Sequence, residues 1–168
     1  RLFIVNMPYN LEPTNEELIY HSALKTKLVV KGVSIHPGAL RFASEFVCLT
    51  RLSEVRKRIY EDDPIVKSSV NSYYRDGMEG ISPRFVLNAL AIALVESPVE
   101  IVTVKGFCQT FINIIKEYPV LSDVERKFYL GLIKTLMNKN IEAYESITFE
   151  DVDLQKLKQR NKNSFFNN

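Results

Sequence analysis

The amino-acid sequence predicts a mostly α-helical fold class, a helical bundle with one short strand at its N-terminus. Three observations predict it: several segments carry apolar residues at helical spacing behind a capping residue, only one run has the character of a strand, and that run stands at the start of the chain. The 168 residues are 46% hydrophobic and 25% charged, which is typical of a folded domain with its own core.

The strand is predicted for Leu2–Met7, a run rich in Ile, Val and Phe that Pro8 ends. No second strand pattern follows, so we expect this strand to belong to a missing sheet outside this sequence, which the family resemblance given below implies is that of an α/β subdomain. The chain starts at Arg1 rather than Met, which favours a piece of a longer protein. It lacks the long apolar run of a signal peptide or membrane span, so we expect a cytoplasmic protein without a membrane partner.

Two helices are predicted next. The first, "NEELIYHSALKTKL", follows Pro13 and Thr14, carries carboxylates in its first turn, and ends at the loop "KGVS". Its apolar residues at helical spacing are Leu18, Ile19 and Leu24. The second, "HPGALRFASEFVCLTRL", has Pro37 at a first helical position. Its predicted apolar face comprises Leu40, Ala43, Phe46, Val47 and Leu49.

The helix predicted for Ser82–Glu96 differs from the others because Asn88 is the only polar residue in its body. A helix that is apolar all round is normally buried all round, so this helix is predicted to be the central one. Ser82 is a natural N-cap and Pro83 a natural first residue. The polar region before it, Ser53 to Asp76, predicts a surface helix, a turn and a second short helix.

Two further helices complete the predicted bundle. One is capped by Thr103, and the other runs from Ser122 to about Tyr144, with Ser122 and Glu125 at capping-box spacing. Their predicted core positions are Phe107, Phe111, Ile114 and Ile115 in the first and Phe128, Leu132, Leu136 and Ile141 in the second. After residue 146 the chain becomes polar and rich in Asn, which predicts a partly disordered segment over 147–168.

Isolated reactive residues offer little chemistry. Cys48 and Cys108 lie in apolar helical patterns and are predicted to be core thiols, and His21 and His36 have no ligand partner at metal spacing. The net charge is +2 without a long run of like charge, so a nucleic acid partner is not expected. The sequence also contains no phosphate loop, kinase or hydrolase motif, so this fragment alone is not expected to be an enzyme.

Arg84 needs an explanation because it stands in the first turn of a helix, where the macrodipole disfavours a cation by about 0.3–1 kcal/mol. A guanidinium beside free helix amides suits phosphate oxygens, and Gly77 and Gly80 permit a close approach just upstream. Gly80, Ser82 and Arg84 are therefore the candidate anion site. The alternative is a local salt bridge from Arg84 to Asp76 or Glu79, or a solvated side chain.

Three segments carry a family resemblance. "IVNMPYNL", "IHPGALRFASEFVCLTRL" and "GMEGISPRF" together resemble the AAA+ ATPase module of the PrkA-type serine protein kinases, where its large subdomain passes into the helical lid. The resemblance spans roughly residues 1–145. It divides the chain into the last strand and hinge of the large subdomain (1–10), a helical lid subdomain (11–146) and a polar segment (147–168) that does not resemble the family's continuation.

The resemblance implies roles for individual residues. Arg84 would be the sensor 2 arginine, which reaches the γ-phosphate of ATP and reports hydrolysis as a lid rotation. Tyr9 and Asn10 in the hinge and Ile19 in the first lid helix would line the adenine pocket. Arg1 matches the arginine that closes the large subdomain.

The resemblance also implies a cofactor and partners. The parent protein would use ATP with Mg²⁺, held by its own missing large subdomain, and would assemble as a homo-oligomer. It would be an ATP-dependent serine/threonine protein kinase or AAA+ ATPase acting on a protein substrate. The alternative is a helical interaction module, an adaptor or scaffold that binds protein partners and no nucleotide.

Overall fold

The computed structural model describes residues 8–26, 32–55 and 76–149, and the fold reported below is that of these residues. Five helices lie wholly within these ranges: α1 (Pro13–Thr26), α2 (Pro37–Thr50), α3 (Pro83–Glu96), α4 (Val104–Glu117) and α5 (Asp123–Glu145). Two short strands join them, β1 (Ser34–Ile35) and β2 (Ile101–Val102). The predicted mostly α fold class is thus confirmed.

Some predictions fall elsewhere in the chain. The predicted strand Leu2–Met7, and with it Arg1, lies outside the described residues, as does most of the polar region between Ser53 and Asp76. The division into 1–10, 11–146 and 147–168 stays a prediction.

The helix starts follow the local capping rules. Ser82 accepts a hydrogen bond from the amide of Phe85, and Thr103 accepts one from the amide of Gly106. Ser122 and Glu125 form both halves of the predicted capping box. His36 also caps a helix, because its Nδ1 accepts from the amide of Gly38 at 3.1 Å. These polar groups satisfy amides that a helix start leaves without an intrahelical partner.

The central helix is α2, and the prediction that α3 occupies this position is wrong. Residues on all sides of α2 are buried, and α2 packs against α1, α4 and α5. On α3, Ile92 is 37% and Val95 75% exposed. The composition of α3 favours burial on every side, but its main neighbours among the described elements are α4, α1 and β1, and Ile92 and Val95 stay exposed.

Helix α1 is oriented differently from the prediction. Ile19, assigned to the apolar side, is 38% exposed, whereas Glu16 and Glu17 are 0% and 1% exposed. Tyr20 and Ala23 lie on the same buried side as these carboxylates. The carboxylates were predicted only as residues of the first helical turn, and α1 presents them to α2.

A short parallel strand pair was not predicted. Ser34 pairs with Ile101 and Ile35 with Val102, so the residues leading into α2 and α4 run side by side. The amide of His36 extends the pairing by donating to the carbonyl of Val102 at 3.0 Å. Two residues are too few to show strand periodicity, which explains why Ser34 was assigned to a loop.

An aromatic core joins α2, α4 and α5. Its residues are Phe42, Phe46, Phe107, Phe111 and Tyr129, each at most 1% exposed. The rings of Phe46 and Phe111 meet edge to face with centroids 5.3 Å apart, and Phe107 stacks on Phe111 at 5.5 Å. Such pairs add to the stabilisation from buried apolar area.

The predicted core positions hold better on α4 than on α5. Phe107, Phe111 and Ile115 are buried as predicted, and Ile114 is partly buried. On α5 Leu136 is buried, but Phe128, Leu132 and Ile141 are only partly buried. Their neighbours Tyr129, Ile133 and Tyr144 occupy the core instead. The helix is rotated by about one residue from the predicted orientation, because its apolar residues cover a wide arc and α2 and α4 decide which part of it is buried.

Both cysteines are core thiols, as predicted. Cys48 and Cys108 are buried and free. Burial raises the pKa of Cys48 to about 11 and that of Cys108 to about 12. The thiolate is the reactive form of cysteine, so neither side chain has the character of a nucleophile near neutral pH.

Candidate functional site

Arg84 lies in the first turn of α3, as predicted, and its side chain is exposed. Within the described part of the chain it forms no ion pair with Asp76 or Glu79. The backbone amide of Ser53 donates to Asp76 at 2.6 Å. The local salt bridge is therefore not the arrangement seen here, and the guanidinium of Arg84 faces solvent.

The start of α3 offers fewer free amide donors than predicted. Pro83 has no amide hydrogen, and the amide of Phe85 donates to the hydroxyl of Ser82 at 3.3 Å. An anion at this helix start would therefore depend mainly on the guanidinium of Arg84, with the amide of the same residue as a second donor.

The loop before α3 requires glycine at two positions, as the sequence predicted. Gly77 has φ of 79° and Gly80 has φ of 107°, a region that other residues rarely adopt. A Cβ atom at Gly80 would lie 2.6 Å from the carbonyl oxygen of Thr50 and 2.9 Å from Cγ of Arg51. The loop therefore packs directly on the end of α2.

A pocket of about 410 Å³ opens beside this loop. Tyr9, Gly80 and Ser82 line it, so three of the six predicted site residues meet at one place. Glu79 and Glu125 also line it, and no lysine or arginine does so among the described residues. The charge of this pocket is unsuited to a phosphate, so a phosphate contact would have to form outside it, at Arg84.

The remaining predicted residues, Asn10, Ile19 and Arg84, do not line this pocket. Asn10 follows Tyr9 in the segment Pro8–Asn10, which we call the hinge after its predicted role, and presents its backbone carbonyl to Arg51. Arg84 and Ile19 are exposed and are not among the residues that line the pocket. The structure thus gathers the hinge and the loop before α3, and leaves Arg84 just beyond them on the first turn.

Arg51, at the end of α2, is a functional candidate that the sequence analysis missed. Its side chain is fully buried, and its Nη1 and Nη2 bind the two carboxylate oxygens of Glu16 at 2.9 and 2.8 Å. Its Nε donates to the carbonyl of Ile81 at 3.0 Å, and Nη1 also donates to the carbonyl of Asn10 at 2.7 Å. The guanidinium carbon lies 4.9 Å from the ring centroid of Tyr9. One side chain thus joins α1, the hinge and the start of α3.

Backbone hydrogen bonds join the same segments. The amide of Tyr9 donates to the carbonyl of Gly77 at 2.6 Å, and the amide of Gly77 donates to the carbonyl of Arg51 at 2.9 Å. The amide of Ile81 donates to the hydroxyl of Thr50 at 3.1 Å. The hinge therefore contacts the loop before α3 directly as well as through Arg51.

Tyr20 completes the surroundings of Glu16. Its hydroxyl donates to Oε1 of Glu16 at 2.7 Å, and its side chain is fully buried. Burial, with the nearby carboxylate of Glu16, raises the pKa of Tyr20 well above its ordinary value, so the phenol stays protonated and remains a donor. Glu16 is thus a buried carboxylate with partners on both of its oxygens.

A second ion pair lies along the same two helices. Arg41 Nε is 2.7 Å from Glu17 Oε2, although the two atoms are not aligned as a hydrogen bond, and His21 Nε2 is 3.6 Å from the other oxygen of Glu17. The side chain of His21 is only 13% exposed. We call Glu16, Glu17, Arg41 and Arg51 the charged seam between α1 and α2.

The sequence contains a weak signal for this seam. Arg41 and Arg51 are ten residues apart on one helix, close to three turns, so both can face one neighbour. Glu16 and Glu17 are adjacent on another helix. Nothing local pairs the two helices, however, and the partners in the Arg51–Glu16 pair are 35 residues apart.

The fold and this site define a class of domain, a helical bundle whose entry segment is tied to the start of a later helix. By sequence the chain belongs to the PrkA family: the family described as PrkA serine protein kinase C-terminal domain matches residues 49–153. The match includes residues 147–153, so the start of the segment expected to depart from the family lies within it.

One curated relative is the ATP-dependent protease PrkA of Bacillus subtilis (strain 168). The two sequences are 26% identical over an alignment 168 residues long. The alignment covers 90% of this chain and 26% of that protein. The chain therefore spans about a quarter of the relative's length. No solved structure matches the chain significantly.

Within the described ranges, none of the helices is both long and apolar enough to span a bilayer. The same residues hold no cluster of three or more His, Cys, Asp or Glu side chains arranged for a metal ion.

Proposed function

We propose that this chain is the nucleotide-sensing lid of an AAA+ ATPase module in a PrkA-like, ATP-dependent protein. The observation that carries the proposal is the exposed guanidinium of Arg84, which has no partner in the described part of the chain and stands in the first turn of α3. A cation is unfavourable at this end of a helix unless an anion approaches it. Membership of the PrkA family supports the choice of ATP as that anion.

The roles of the site residues follow from their positions. Arg84 would donate hydrogen bonds to the negatively charged terminal phosphate of ATP, which would bind together with Mg²⁺. Tyr9 and Asn10 lie where the chain enters the bundle and would contact the adenine side, together with the exposed Ile19. Gly80 and Ser82 hold the start of α3 in place. Mg²⁺ ligands would come from the large subdomain, since the described residues hold no suitable cluster.

The activity of the whole protein is also part of the proposal. The family description names a serine protein kinase, and the Bacillus subtilis relative is named an ATP-dependent protease. Both kinds of enzyme consume ATP, and ATP use is the property we propose for the protein to which this chain belongs. Its partners would be its own large AAA+ subdomain and further copies of the same chain, in the cytoplasm.

The test compares steady-state ATP hydrolysis by the full-length protein before and after Arg84→Ala. We expect kcat to fall on the order of 100-fold with a smaller change in KM, because the lost donors act mainly on developing charge. Lys134→Ala, at an exposed lysine on α5, is the matched control and should leave kcat unchanged. Unchanged turnover in Arg84→Ala would contradict the proposal.

The adaptor hypothesis has one observation in its favour. Apolar side chains are exposed near the end of α3 and in β2: Val95 is 75%, Val99 55% and Ile101 43% exposed. Exposed apolar groups on neighbouring elements are common at protein interfaces. If Arg84→Ala keeps full turnover while Val95→Asp abolishes binding to a protein partner, the interaction module becomes the better explanation.

A further inference from the structure

Arg51 uses one side chain to hold three segments that are distant in sequence. Two of its nitrogens clasp the carboxylate of Glu16 on α1, one also reaches the carbonyl of Asn10, and Nε reaches the carbonyl of Ile81. The guanidinium has no exposed surface. Each of these hydrogen bonds therefore depends on the position and orientation of the guanidinium.

A buried ion pair of this kind contributes little net stability. The cost of removing both charges from water nearly cancels their attraction, and apolar replacements of similar size are often as stable. What a bidentate arginine–carboxylate pair provides is geometry, because two parallel hydrogen bonds fix the plane of the guanidinium. Here that plane determines where Nε and Nη1 point, and hence where Ile81 and Asn10 lie.

The two carbonyls that Arg51 binds lie in the hinge and just before the N-cap of α3. Asn10 belongs to the hinge through which the chain enters the bundle. Ile81 directly precedes Ser82, the N-cap of α3, and Arg84 follows three residues later. A displacement of the hinge would therefore move the carbonyl of Asn10, then Arg51, and then the first turn of α3.

We propose that Arg51 is a positioning residue that couples the hinge to Arg84. Closed on Glu16, its guanidinium makes the hinge and the start of α3 move as one piece, so that Arg84 is held at a fixed place relative to the nucleotide. This inference rests on the proposed function. To the proposed nucleotide-sensing site it adds Arg51, a residue that does not itself contact the nucleotide.

The test replaces Arg51 by lysine in the full-length protein. Lysine keeps the charge and can still pair with Glu16, but one ammonium cannot reproduce the planar fork that reaches Asn10 and Ile81 at the same time. We expect kcat for ATP hydrolysis to fall about 10- to 100-fold, as for a small misplacement of a reacting group, with KM changed less than about threefold.

Arg41→Lys is the matched control. Arg41 lies on the same helix and pairs with Glu17, the neighbour of Glu16, but makes no hydrogen bond to the hinge or to the loop before α3. This variant makes the same chemical change in the same seam, at its more exposed ion pair, and should keep full kcat. If both variants lower kcat equally, the effect is one of general stability and the inference is overturned.

Amide hydrogen exchange supplies a readout that does not depend on activity. In Arg51→Lys we expect exchange at Tyr9, Gly77 and Ile81 to accelerate about tenfold or more, because their hydrogen bonds lie around Arg51. Amides of α4, which Arg51 does not contact, should exchange as before. Unchanged exchange at all three amides would overturn the inference.

Combination with Arg84→Ala separates the two proposals. If Arg51 acts through Arg84, Arg51→Lys should lower kcat no further in an Arg84→Ala background. A further tenfold loss would overturn the coupling. Full turnover in Arg84→Ala alone would instead defeat the proposed function.

Should Arg51→Lys fail to fold, Glu16→Gln is the second variant. It keeps the side-chain size and removes the charge that orients the guanidinium. It should lower kcat in the same manner, with KM nearly unchanged. A full kcat in folded Glu16→Gln would overturn the inference.

Discussion

The charged seam and the aromatic core both lie against α2, yet they hold the protein together in different ways. The aromatic core joins α2 to α4 and α5 through rings with centroids 5.3 to 6.5 Å apart. The seam joins α2 to α1 through arginine–glutamate pairs with 2.7 to 2.9 Å between nitrogen and oxygen. Apolar burial depends mostly on area and little on direction, whereas a hydrogen-bonded ion pair depends strongly on direction.

The difference teaches which contacts stabilise the bundle and which contacts position its parts. Removing a ring from the core should cost stability in proportion to the cavity it leaves, with no particular effect on the hinge. Removing a charge from the seam should disturb the hinge and the start of α3, even where the net stability of the pair is small. Three stability predictions test this distinction.

The largest loss of stability is expected in the core. Phe111 contacts the rings of Phe42, Phe46, Phe85 and Phe107. Phe111→Ala should lower the free energy of unfolding by about 3–5 kcal/mol, as measured by urea denaturation. Phe111→Leu, which refills most of the space, should lose much less. A loss below about 1 kcal/mol in the alanine variant would show that this core is loosely packed.

The second prediction concerns the energy that couples Glu16 to Arg51. Glu16→Met and Arg51→Met should each destabilise the fold, since each strands a buried charge, while the double variant should lose clearly less than the sum. We expect a coupling energy of about 2–3 kcal/mol from the double-mutant cycle in urea denaturation. The same cycle at Glu17 and Arg41 should give a smaller value, because Arg41 is 32% exposed. Equal coupling in both pairs would contradict the special role of Arg51.

The smallest effect is expected at Gly80, where the loop before α3 meets the end of the seam. Gly80→Ala forces a side chain into a positive φ and against the carbonyl of Thr50, so we expect a loss of at least about 1 kcal/mol. Gly131→Ala on α5 is the matched control, because a Cβ there meets nothing within 4 Å. Alanine is the better helix former, so this control should gain about 0.5–1 kcal/mol. Thermal denaturation of the two variants measures the contrast.

The parts of the fold that were predicted correctly depend on neighbours in sequence. Ser82, Thr103 and Ser122 cap helices because each lies next to the amides it binds, and Gly80 adopts a positive φ because the turn beside it needs one. The nucleotide-binding role of the predicted site residues stays a prediction. Tyr9, Gly80 and Ser82 meet at one pocket, but the sequence did not reveal Arg51, whose partners are distant along the chain.

By itself the sequence determined the helical class, the helix starts, the buried thiols of Cys48 and Cys108, and the place of a cation in the first turn of α3. Only the tertiary structure decided that α2 is central, that α1 buries Glu16 and Glu17, and that Arg51 links the hinge to α3. The physical reason is that capping and backbone conformation depend on neighbouring residues, whereas burial depends on which helices surround a residue. A buried charge can be recognised only when its partner is known.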